Sequence, residues 1–156
     1  MKITLLVVGK TDGVFTQIVN DYVDRLKHYI VFAVKVIPDI KNTKSLSQKV
    51  QMEKEGELIL KSLSPQTEVV LLDERGFSPT SVELASWFEK KMNSGIKELT
   101  LVIGGPYGFS SAVKQRAMHS LSLSKLTFSH QMVRVILLEQ VYRAFTIIKG
   151  EPYHHA

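Results

Sequence analysis

The segment Leu101-Val102-Ile103-Gly104-Gly105-Pro106-Tyr107-Gly108 decides the reading of this chain. A continuous apolar run stops in a glycine loop, as a buried strand does when it leaves a sheet. Further on, Leu121-Ser122-Leu123-Ser124-Lys125-Leu126-Thr127-Phe128 reads as a short strand entering a second loop. A long apolar helix, His130 through Lys149, then ends at Gly150, with Pro152 just beyond. Two strand-end loops of this kind can build one small-molecule site, because ligands of open α/β sheets bind outside the carboxyl ends of the strands.

Upstream the same alternation holds. Residues 2–9 form an apolar strand stopped by Gly9. Val14, Ile18, Tyr22, Leu26 and Tyr29 mark one face of a helix over about 14–29. Val31 to Ile37 is a second strand closed by Pro38, and a Lys- and Glu-rich helix covers about 48–62. Gly56 inside that helix costs about 1 kcal/mol relative to alanine. It marks either tolerated strain or the close approach of another element. Glu68 to Leu72 is a third strand, ending at Asp73-Glu74-Arg75-Gly76. Thr80-Ser81-Val82-Glu83 matches a capping box and opens a helix to about Asn93. Glu98 to Ile103 is the fourth strand, 110–119 a short helix, and 121–124 the fifth strand. Strands alternating with helices predict an α/β fold, a mostly parallel sheet with helices on both faces.

The 156 residues suit a single domain, 1–156, able to bury roughly two-thirds of its unfolded surface without a staple. The absence of cysteine excludes a disulfide framework and cysteine-ligated metal. Residues 1–9 are too short an apolar run for a signal peptide or membrane span, so no membrane partner and a cytoplasmic location are expected. A net charge of +5 permits a nucleic-acid partner without requiring one.

The candidate chemistry concentrates at the second half. The glycine loop lacks the spacing of a dinucleotide fingerprint and is followed by no P-loop lysine, which argues against a phosphate cradle. It fits either a tight turn or a close backbone approach to a nucleoside-like ligand. Leu123 to Phe128 carries little side-chain polarity. It is either an ordinary surface loop or one that offers backbone groups to the edge of a base. His130 can be a base, a hydrogen-bond donor to RNA, or a helix cap. Glu139 and Arg143, four apart, also satisfy the spacing of a structural ion pair. The helix that carries them is apolar nearly all round, so it must be covered on several sides, and a second copy of the chain would cover it. The tail Glu151-Pro152-Tyr153-His154-His155-Ala156 is unusually aromatic for a frayed end.

Taken in order, these segments resemble one family along essentially the whole chain: the ribosomal large-subunit methyltransferase H (RlmH) family, a small branch of the SPOUT methyltransferases. The resemblance rests on Lys2 to Lys10, Lys54-Glu55-Gly56-Glu57, Leu72-Asp73, Ile103 to Gly108 and Leu121 to Thr127. It continues through His130-Gln131-Met132-Val133-Arg134-Val135, Glu139-Gln140-Val141-Tyr142-Arg143-Ala144 and Pro152-Tyr153-His154. It implies a C-terminal trefoil knot, a homodimer, and S-adenosylmethionine held in the knot loops. It implies methylation of N3 of a pseudouridine in helix 69 of 23S rRNA, on the assembled 70S ribosome. By position, the cofactor contacts are Leu72, Gly104, Leu123, Ser124, Lys125, Leu126, Thr127 and Phe128. The substrate side is Arg143, His130, His154 and Tyr153, and no metal is required. One departure stands out: His155 occupies a position where the family usually has Arg or Lys.

Three other readings are weighed against this one. A methyltransferase of the same fold acting on tRNA shares the cofactor motifs. A non-enzymatic RNA-binding module would keep the fold and lose the cofactor. A flavodoxin-like nucleotide binder fits the alternation but lacks a phosphate loop.

Overall fold

The computed structural model describes residues 1–155. The elements run β1 (Lys2–Val8), α1 (Gly13–Leu26), β2 (Val31–Ile37), a 3-10 turn (Thr43–Ser45), α2 (Gln48–Ser62), β3 (Glu68–Phe77) and α3 (Ser81–Asn93). They continue with β4 (Glu98–Ile103), α4 (Ser111–Arg116), β5 (His119–Leu121) and α5 (Met132–Ile148). All five strands join one sheet in the order β2-β1-β4-β3-β5, and each neighbouring pair is parallel.

Alternation along the strands sends successive side chains to opposite faces, and each face has its own core. On one, Ile3, Leu5 and Val7 of β1 and Leu99, Leu101 and Ile103 of β4 pack with α1, α3 and α5. On the other, Leu6, Val8 and Val102 pack with Ile59 of α2 and Val113 of α4. Near-continuous apolar runs are what strands covered on both faces require. α5 lies against both α1 and α3, which accounts for its nearly all-round apolar surface within one chain. No helix among the described residues is long and apolar enough to cross a membrane.

Several elements differ from the sequence expectation. α1 ends at Leu26, and its inward stripe is Val19, Tyr22, Val23 and Leu26. Val14 is 82% exposed and Ile18 lies on the surface. Steps of four residues drift by about 40° each around a helix of 3.6 residues per turn, so a stripe spaced only by fours winds off the core. β3 runs on to Phe77 rather than stopping at Leu72. Its pairing with β5 shifts register between Leu72 and Phe77, so the charged Asp73-Glu74-Arg75 leaves the ladder and the strand then rejoins it. α4 covers only Ser111–Arg116, β5 lies earlier, at His119–Leu121, and α5 starts at Met132. The capping box of α3 is formed: Thr80 N donates to Glu83 Oε2 at 2.7 Å, and Glu83 N donates to Thr80 Oγ1 at 3.2 Å. Those bonds hold the Glu83 carboxyl below its ordinary range. Gly56 marks close approach: a Cβ there would collide with the side chain of Ser110, the N-cap of α4.

Candidate functional site

A cavity of about 690 Å³ opens at the carboxyl ends of β3, β4 and β5. Its volume falls in the range of small-molecule sites. One wall is the glycine loop, Gly104 through Phe109, and the opposite wall is the 121–130 segment. Leu72 to Arg75 form the floor and rim, and Met52 reaches in from α2.

Each wall has a local cause. Gly108 N donates to Gly105 O at 3.2 Å, closing a tight turn over Pro106 and Tyr107. In the facing loop, Ser122 Oγ donates to Ser124 O at 3.0 Å and Leu126 N donates to Ser124 Oγ at 2.9 Å. The loop spends its serines on its own turn and presents backbone and Leu126, an apolar side chain 74% exposed. An exposed leucine beside a cavity and unspent backbone groups suit a flat heteroaromatic ligand, gripped by its faces and read at its edge.

The last segment is fastened from below. Arg134 of α5 is buried; its Nε donates to His130 O at 3.0 Å, its Nη1 to Thr11 Oγ1 at 2.9 Å and its Nη2 to Val8 O at 2.7 Å. Gln131 adds two bonds: it accepts from Asp12 N and donates to Lys10 O, both at 3.0 Å. Burial pulls the Arg134 guanidinium down from its ordinary value, and Asp12 and Asp39 partly offset this. The sequence reading named Arg134 without a role; its signal was a charged residue in the first turn of a largely apolar helix.

Of the residues expected to contact the cofactor, Leu72, Gly104, Leu123, Ser124, Leu126, Thr127 and Phe128 line the cavity. Lys125 does not line it and is exposed. His130 lines the same cavity from the turn that precedes α5. Arg143, Tyr153 and His154 do not line it. Arg143 stands three turns farther along α5, roughly 16 Å from its first residue at 1.5 Å per residue.

Those distal residues form a cluster of their own. Arg143 Nε donates to Glu139 Oε1 at 3.0 Å and its Cζ lies 4.9 Å from the centre of the Tyr153 ring. Tyr153 Oη donates to Glu139 Oε1 at 3.2 Å, and its ring meets Tyr142 edge-on at 4.9 Å. Tyr29 Oη donates to Glu151 at 2.6 Å. The Glu139 hydrogen bond holds the Arg143 guanidinium above its ordinary value. Burial, then the bond with Tyr22 and the charge of Glu139, push the Tyr153 phenol up to about 12. The tail is therefore docked: Tyr153 and His154 are half-buried, and His154 Nδ1 is buried without a partner. The ion pair anticipated from the spacing of Glu139 and Arg143 is present, and it fixes Arg143 as a cation.

The sequence reading missed Asp73, Glu74, Arg75, Ser111 and Lys114, which complete the cavity's rim. Arg75 and Lys114 are exposed cations that form no ion pair among the described residues. Only the bend in β3 brings Arg75 there. Among the described residues, no group of three or more His, Cys, Asp or Glu side chains is placed to hold a metal ion.

The family model described as "Predicted SPOUT methyltransferase" matches residues 1–154. The chain belongs to the SPOUT methyltransferase family. Among its relatives, a protein of Parabacteroides distasonis named ribosomal RNA large subunit methyltransferase H is 58% identical over 99% of both chains. One of the same name from Phocaeicola vulgatus is 56% identical, again over 99% of both. A Flavobacterium johnsoniae relative of that name is 53% identical over the same extent. A Legionella pneumophila structure, titled as that of a putative methyltransferase with bound SAM, superposes with a TM-score of 0.50. The superposition covers 92% of this chain and 66% of the other at 12% identity, a likeness of fold alone. Within that fold the cavity lies outside the carboxyl ends of the strands, where open α/β sheets bind ligands.

Proposed function

We propose that this protein transfers a methyl group from S-adenosylmethionine to 23S rRNA. The observation that carries the reading is the cavity itself. In a SPOUT chain 58% identical to a named ribosomal RNA methyltransferase, it sets the glycine loop opposite a low-polarity loop. The residues present suit an adenosyl ligand. The 121–130 loop offers backbone groups and Leu126 for a base, and Gly104 and Gly105 bring bare main chain to the facing wall.

S-adenosylmethionine, when bound, supplies a methyl group already activated for attack. The chain's own task is then positioning and charge. Leu72, Gly104 and Leu123 to Phe128 would grip the cofactor. The acceptor we infer is N3 of a pseudouridine in helix 69, an imide nitrogen that must lose its proton. Arg143, held positive by Glu139, would stabilise the imide anion, and His130 or His154 would accept the proton.

Arg143 and the tail stand apart from the cavity of their own chain. We therefore read the working site as composite, in a homodimer whose partner brings its Arg143, Tyr153 and His154 over the cavity. Arg75 and Lys114 on the rim would meet rRNA phosphates. A net charge of +5 is modest for holding RNA unaided, so recognition of the assembled 70S ribosome, in the cytoplasm, fits this chain better than recognition of a naked hairpin.

The deciding experiment is methyl transfer from labelled S-adenosylmethionine to 70S ribosomes lacking the modification, followed by mass mapping of the rRNA. A methyl on the helix 69 pseudouridine is expected. Transfer to tRNA instead would redirect the substrate and leave the cofactor reading in place. Efficient methylation of the isolated hairpin would remove the need for the ribosome.

A further inference from the structure

Glu55 is the least accounted-for group in the molecule. It sits in the middle of α2, only 3% exposed. One oxygen, Oε1, accepts from Gln51 Nε2 at 2.9 Å. The other, Oε2, is buried and has no partner. Lys, Arg and His side chains form no ion pair with it among the described residues. A buried carboxylate left half-satisfied is costly and calls for a reason.

Its location supplies one. Met52, Glu55, Gly56 and Ile59 share one face of α2, at helical spacing. That face supports the glycine loop: Gly56 admits Ser110, and Glu55 lies against Gly105. A Cβ on Gly105 would overlap the carboxylate, with Oε2 as the nearest atom. Gly105 and Met52 both line the cavity. The carboxylate therefore stands behind a cavity wall that has no side chain at that point.

The other charges of the cavity behave differently. Glu74, Arg75 and Lys114 are exposed, where water and salt screen them. Asp73 accepts from the N–H of Arg75 at 3.0 Å and serves its own turn. Glu55 alone is buried, so its field reaches into the cavity with the least screening.

We propose that Glu55 is the counter-charge of the cofactor site. It favours the cationic sulfonium of S-adenosylmethionine over the neutral thioether of S-adenosylhomocysteine, the product left after transfer. Glu55 makes no contact in the cavity; it acts through the bare backbone of Gly105. This role rests on the cofactor reading given above. It would bias the exchange of spent for fresh cofactor, a step that geometry alone would leave indifferent to charge.

The test is calorimetric binding of S-adenosylmethionine and S-adenosylhomocysteine, separately, to the wild-type protein, Glu55→Gln and Glu55→Asp. In Glu55→Gln, affinity for S-adenosylmethionine is expected to fall about tenfold while that for S-adenosylhomocysteine changes less than about twofold. Glu55→Asp shortens the side chain, disturbs the loop's support and keeps the charge. It should weaken both ligands together and preserve their affinity ratio. Equal losses for the two ligands in Glu55→Gln, or no loss, would make Glu55 a scaffold residue and overturn the proposal. So would a collapse of the ratio in Glu55→Asp, the comparison that decides if the Gln variant does not fold. Failure of the wild-type protein to bind either ligand would instead sink the cofactor reading, and the proposal with it.

Discussion

The guanidinium of Arg134 donates to the main-chain carbonyl of Val8 at 2.7 Å, across 126 positions of sequence. It ties the start of the last helix to the end of the first strand. The same side chain holds Thr11 and the carbonyl of His130, so one buried cation fixes the turn that carries a cavity wall.

Arg134→Met should therefore act on stability and on the site together. It strands three acceptors, two of them main-chain carbonyls, and is expected to cost about 3 kcal/mol in urea denaturation. Affinity for S-adenosylmethionine should fall as well, because the 121–130 segment loses its anchor. A variant as stable as the wild type would show that Gln131 alone suffices.

Gly105→Ala should be disruptive for a reason that lies on another helix. The new methyl group would overlap Glu55, so either α2 or the glycine loop must move. Overpacking of this kind costs about 1–3 kcal/mol. Glu55→Ala in the same chain should relieve the clash, and the double variant should lose less stability than the two single changes added together. Strict additivity would mean that the two residues do not press on each other.

Tyr153 gives a pH signature. Its phenol is pushed up to about 12 in the fold, against an ordinary value near 10. Folding thus favours the neutral phenol, so its contribution is complete below about pH 10 and is lost as pH rises toward about 12. Tyr29, also raised through its bond to Glu151, adds to the same loss. The denaturation midpoint of the wild type should fall more steeply over this window than that of Tyr153→Phe. Parallel curves would place Tyr153 in solvent.

Much of this was legible in the sequence because it is carried by local pattern. The first four strands show as apolar runs, the capping box as Thr80 and Glu83, and the end of α5 as Gly150. The cavity's two walls could be named because each follows a strand. What was not legible depends on contacts distant in sequence. Gly56 can be seen to be odd, but not that Ser110 fills its gap. Arg75 joins the rim only through a register shift between β3 and β5. Lys125 sits among cofactor candidates by sequence and is exposed outside the cavity's lining in the fold. Val14 and Ile18 satisfy a helical spacing and remain outside the core, because periodicity tests a face without saying where the neighbouring helix lies.

The proton acceptor can be separated by kinetics. His130 lines the cavity, whereas His154 is half-buried in the tail with one ring nitrogen unpartnered. If either is the base, its alanine variant should lose the limb of the pH–rate profile that reports an imidazole. A profile unshifted in both variants would leave Arg143 as the group that makes the imide acidic.

Arg143→Ala should cut turnover by about a hundredfold or more, as loss of a preorganised charge does, with affinity for S-adenosylmethionine unchanged. The separation of Arg143 from its own cavity makes a stronger test possible. In a composite dimer, the Arg143→Ala variant and a cavity variant such as Gly105→Ala damage different halves of each site. When the two inactive proteins are mixed and allowed to exchange subunits, mixed dimers carry one site built wholly from undamaged parts. Random pairing puts about half of the molecules in mixed dimers, each with one working site in two, so activity should recover to about a quarter of the wild-type value. Mixtures that stay inactive despite verified subunit exchange would mean that each chain completes its own site. The docked cluster around Arg143 would then be a structural one.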